Sequence, residues 1–108
     1  MVTRSLVVLA LIAATAGAEP PRAVKIQDTV GFDWLEPRAS KCTKVAGRLL
    51  ARLNKDYQCA PPDNRGATGS GVTIVATCKT RNGKSEFLLF ATAADCAKER
   101  DMQLANAE

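Results

Sequence analysis

Four cysteines, at positions 42, 59, 78 and 96, stand 17, 19 and 18 residues apart in a chain of 108 residues without histidine. That pattern limits the chemistry first. No two cysteines are close enough for a Cys-x-x-Cys redox pair, and mixed Cys/His metal sites are ruled out. A four-Cys zinc site places its ligands in close pairs, which these are not. The remaining reading is two disulfides formed in an oxidising compartment. The lack of histidine also removes Ser–His and Cys–His nucleophile pairs.

The N-terminus agrees with that compartment. It reads MVTRSLVVLALIAATAGA, with Arg4 ahead of an apolar run over Leu6–Ala14 and a small-x-small site at Ala16-Gly17-Ala18. This is the pattern of a secretory signal peptide over residues 1–18. The run is short of the ~20 residues that span a bilayer. The expected location is periplasmic or extracellular, and no later segment predicts a membrane span. Residues 19–33 read as an extended N-terminal arm, and 34–108 as a single disulfide-linked domain. Fifteen Lys/Arg less Arg4 leave fourteen against eleven Asp/Glu, a balance of +3 that does not point to nucleic acid.

Periodicity predicts the elements. Val24, Ile26, Val30, Phe32 and Trp34 fall at even positions, which suggests a short strand interrupted at Asp28. Residues 38–57 read as an amphipathic helix. Pro37 or Ser40 would start it, and Cys42, Val45, Leu49, Leu53 and Tyr57 lie on its apolar arc. Residues 60–71 are Pro- and Gly-rich and read as a loop. Residues 72–79 and 84–92 read as a hairpin around Asn82-Gly83, the preferred pair for a two-residue type I′ turn. Counting outward sets Lys79 opposite Glu86 and Cys78 opposite Phe87. One face then carries Val72, Ile74, Ala76, Cys78, Phe87, Leu89 and Ala91 and faces the core. Residues 93–105 read as a second, peripheral helix capped by Thr92. The expected class is α+β, in the order (β)αββα, with an antiparallel hairpin packed under the amphipathic helix.

On that reading a helix between Cys42 and Cys59 would hold them too far apart to bond, since a disulfide needs Cα atoms about 4.4–6.8 Å apart. Two connectivities survive: 42–96 with 59–78, or 42–78 with 59–96. The nested pair is preferred.

The surface signal is a run of cations. Arg38, Lys41, Lys44, Arg48, Arg52 and Lys55 recur at helical intervals without an acid among them, which predicts a basic stripe. Such a stripe would dock an acidic protein, an anionic lipid headgroup or a polyanionic polysaccharide. Residues Gly66, Gly69 and Gly71 do not make a phosphate loop, because no Gly-Lys-Ser/Thr follows. Asp28, Asp33 and Glu36 on the N-terminal arm are the acids a carboxylate hydrolase would need; such an enzyme requires two of them in one cleft, and their spacing in the sequence does not set that distance. No pattern calls for a cofactor. Trp34 and Leu35 read as a structural clamp at the entry to the helix.

The segments WLEP, KC, SEFLLF and QLAN, in that order over about residues 34–106, resemble small exported four-cysteine bacterial proteins of unassigned function. The resemblance implies an exported, disulfide-bonded domain and supplies no catalytic residue. The expected function is a non-enzymatic interaction domain. The alternative is a small inhibitor of an extracellular enzyme, presenting the loop 60–71.

Overall fold

A computed structural model describes residues 24–62 and 69–107. The signal sequence expected over residues 1–18 lies outside the described residues, as do residues 63–68 of the expected loop. Among the described residues, seven elements follow in order: β1 (Val30–Asp33), β2 (Thr43–Lys44), α1 (Gly47–Asp56), β3 (Tyr57–Ala60), β4 (Ala76–Thr80), β5 (Glu86–Phe90) and α2 (Ala93–Asn106). The strands form one antiparallel sheet in the order β2-β1-β5-β4-β3. The class is α+β, as the sequence implied, with two more strands than it announced.

The hairpin β4–β5 carries the expected register. Ala76, Thr77, Cys78 and Lys79 pair with Leu89, Leu88, Phe87 and Glu86. The turn differs. Thr80 N–H donates to Ser85 O at 3.0 Å and Gly83 N–H to Thr80 O at 3.0 Å, so a four-residue loop closes the hairpin. A type I′ turn needs positive φ at both central residues. Only Gly83 has it, at φ 73°. Two- and four-residue loops centred on the same pair leave the register unchanged, so the strands match despite the different turn.

The segment expected to open the long helix does not. Thr43 and Lys44 pair with Gly31 and Val30 of β1, and α1 starts only at Gly47. Neither Pro37 nor Ser40 starts a helix. Ala46 is the N-cap, in extended conformation and without a side-chain cap bond. Tyr57, expected on the helix arc, begins β3 instead. The strand pairing explains the loss: backbone donors at 43–45 are drawn into a ladder with β1, and local helix preference yields to it.

Asp28 controls the lead into β1. Its N–H donates to Val45 O (2.9 Å), while Val45 N–H donates to Thr29 O (2.7 Å). Two residues thus oppose one, a β-bulge, with Asp28 at φ 68°. A bulge shifts the side-chain alternation by one. Val24 and Ile26 therefore pack in one core cluster, and Val30, Phe32 and Trp34 in the other, although all five are even-numbered. β1 is an inner strand and Phe32 is fully buried. From Val24 onward, the expected arm of residues 19–33 is part of the folded unit.

Both faces of the sheet are covered. On one, Leu49, Leu50 and Leu53 of α1 pack with Ala76, Cys78, Phe87 and Leu89. On the other, Phe32, Leu88 and Phe90 pack with Cys96 of α2. Val72 and Ile74, expected beside Cys78, belong to this second cluster, because regular strand geometry begins only at Ala76. The second helix is thus a covering layer, not a peripheral element. Thr92 caps it, its hydroxyl oxygen accepting from Asp95 N–H at 3.1 Å.

The disulfides are Cys42–Cys96 and Cys59–Cys78. This is the preferred nested pairing, reached by a different route. Cys42 is not on a helix; it precedes β2, and its bridge joins that edge to α2. Cys59 and Cys78 face each other directly across β3 and β4. Two disulfides fit a chain that folds in an oxidising compartment. Among the described residues, no helix is long and apolar enough to cross a membrane.

Candidate functional site

The six cations of the expected stripe fall on three kinds of backbone. Arg38 lies in the turn after β1, and Lys41 precedes β2. Lys44 ends β2. Arg48, Arg52 and Lys55 are on α1. All six are exposed. A single helical stripe does not form, because residues 38–46 are not helical.

The fold nevertheless brings four of them together. Lys41 and Lys44, just before and in β2, and Arg48 and Arg52 of α1 all line a groove of about 710 Å³. Arg48 and Arg52 are one helical turn apart, so their side chains leave the same face. Among the described residues, no acid lines the groove. Its apolar lining includes Ala46, Leu49 and Phe87. Asp28 Oδ1 is 3.9 Å from Lys44 Nζ, with both side chains about two-thirds exposed. Solvent screens such a pair strongly. Arg38 and Lys55 are outside the groove. Lys55 sits in the last turn of α1, where a cation favours the negative helix end.

Asp33 belongs to a structural network. Its Oδ1 accepts from Leu35 N–H (3.0 Å) and Glu86 N–H (3.2 Å), and its Oδ2 from the Ser85 hydroxyl (2.8 Å). Ser85 has one hydroxyl proton, committed to Asp33, so Tyr57 is the donor in the 2.7 Å contact between their oxygens. The chain Tyr57–Ser85–Asp33 ties the end of α1 and the hairpin turn to β1. Asp28, at the bulge, stands apart from this network.

Trp34 is half-buried and packs on the α2-side cluster, with its indole N–H donating to Glu86 Oε1 at 3.0 Å. Leu35 does not share that role: it is 36% exposed. Trp34 also borders a second cavity of about 300 Å³, with Glu86, Glu99 and Gln103. Glu99 is 2% exposed, and its Oε2 accepts from Gln103 Nε2 at 2.7 Å. Nothing in the sequence singles Glu99 out, since it stands in the polar run AKERD. Arg100 was equally invisible. Its Nε–H donates to Ser40 O (2.8 Å) and Pro37 O (3.2 Å), holding the turn after β1 against α2.

Among the described residues, no group of His, Cys, Asp or Glu is placed to hold a metal ion. No family model, no curated protein and no solved structure matches this chain.

Proposed function

We propose that this chain is an exported, non-enzymatic interaction domain that docks an anionic partner in the groove between β2 and α1. The observation that carries the reading is the convergence of Lys41, Lys44, Arg48 and Arg52 on one groove with no acid in its lining among the described residues. Like charges so close oppose one another, at roughly 0.2–0.5 kcal/mol for an i,i+4 pair such as Arg48 and Arg52. An anion between them removes that repulsion. The signal-peptide pattern and the two disulfides support export, to the periplasm or the extracellular space. The resemblance to exported four-cysteine bacterial proteins points the same way.

The test is retention on an anionic matrix as a function of salt. The native chain elutes at higher salt than the Lys44→Glu/Arg48→Glu/Arg52→Glu variant by more than its change in net charge explains. A Lys79→Glu/Lys84→Glu/Lys98→Glu control carries the same net charge with the groove intact. Equal elution of the two variants removes the groove as the docking site.

A further inference from the structure

We propose that the groove takes a small amphiphilic anion: an aliphatic or aromatic body ending in a carboxylate or phosphate group. The inference rests on the cationic groove and adds what lies beneath its charges. The rim is Lys41, Lys44, Arg48 and Arg52, while Leu49 and Phe87 contribute apolar lining. Both apolar residues belong to the α1-side core cluster, and Phe87 is only 5% exposed. Phe87 is on β5, with β1 between it and the edge strand β2.

Each part of the lining excludes a different occupant. A fully hydrated anion satisfies the rim and leaves the apolar lining wet. A neutral apolar molecule covers that lining and leaves four cations facing each other. An amphiphilic anion satisfies both, with its charged end on the forked donors of Arg48 and Arg52. The groove volume of about 710 Å³ lies within the range of small-molecule sites, roughly 300–1,000 Å³. The source is a free molecule, not a bilayer. Phe87 is recessed by a strand's width from the sheet edge, and a flat headgroup surface does not reach it.

Calorimetric titration of the oxidised protein tests this with acetate, octanoate, decanoate, inorganic phosphate, neutral decyl glucoside and vesicles containing phosphatidylglycerol. Each added methylene should tighten the fatty-acid series roughly threefold to fourfold until the groove is filled, the equivalent of about 0.8 kcal/mol per buried CH₂. Decyl glucoside and acetate should bind far more weakly than decanoate. Arg48→Gln/Arg52→Gln should weaken decanoate about tenfold or more, with a thermal midpoint no lower than that of the native protein. Acetate or phosphate binding as tightly as decanoate overturns the amphiphile and leaves the docking groove standing. So does vesicle binding without decanoate binding. Decyl glucoside binding as tightly as decanoate overturns the need for charge. If none of these anions binds, the amphiphile is overturned, while the salt-elution comparison decides the docking groove by itself.

Discussion

Asp33 Oδ2 accepts the Ser85 hydroxyl at 2.8 Å across 52 positions of sequence, and Tyr57 completes the chain. The three residues come from β1, the hairpin loop and the start of β3. Asp33→Asn keeps the shape but removes the charge and one of the two oxygens that accept these hydrogen bonds. It should destabilise by about 1–3 kcal/mol, against about 1 kcal/mol for Tyr57→Phe, read as shifts in the urea midpoint. Additive losses in the double variant would show that the two bonds act independently.

The two disulfides should differ in weight. Cys42–Cys96 spans 54 positions and Cys59–Cys78 spans 19. The loop-entropy relation gives about 4 and about 3 kcal/mol. Cys42→Ser/Cys96→Ser should therefore melt below Cys59→Ser/Cys78→Ser. The reverse order would mean that pairing of β3 depends on its bridge more than attachment of α2 does.

Gly31 should tolerate no side chain. It pairs with Leu89 of β5, and a Cβ there would run into Leu89 Cδ2 and come within 2.7 Å of the Leu88 carbonyl oxygen. The backbone oxygen cannot swing away, so the strand must move. Gly31→Ala should cost about 1–3 kcal/mol through overpacking. Denaturation of Gly31→Ala beside Gly69→Ala measures it; Gly69 meets only the flexible end of Met102, and its variant should stay near the native value.

Trp34 is the only tryptophan, so its emission reports one site. Cys42 packs in the same cluster. Emission should lie blue of free tryptophan in the oxidised protein and move red in Cys42→Ser/Cys96→Ser. An unmoved spectrum in that variant would show that β1 alone holds the indole.

Alternating residues and a well-placed turn made the β4–β5 register legible. Thr92 was legible as a cap because a cap is a local interaction. The beginning of α1 was not. The sequence over 38–46 satisfies helical periodicity, and only the partner strand, distant in no local pattern, pulls it into the sheet. The parity change at Asp28 was hidden for the same reason: a bulge is a relation between two strands. The cations show the division most plainly. Their lack of interspersed acids was visible in the residues, and so was their number. Their gathering of four around a groove depends on β2 turning back beside α1, which helical spacing did not contain. Glu99 and Arg100 are functions of tertiary position alone.

The sheet ends in two strands that offer little to a neighbour. β2 is only two residues long and carries Lys44; β3 is bridged to β4 and runs directly into Pro61-Pro62. A proline cannot donate to a ladder, and a short charged edge provides few unpaired amides in a row. The same short edge that lines the groove therefore gives a second sheet little to pair with.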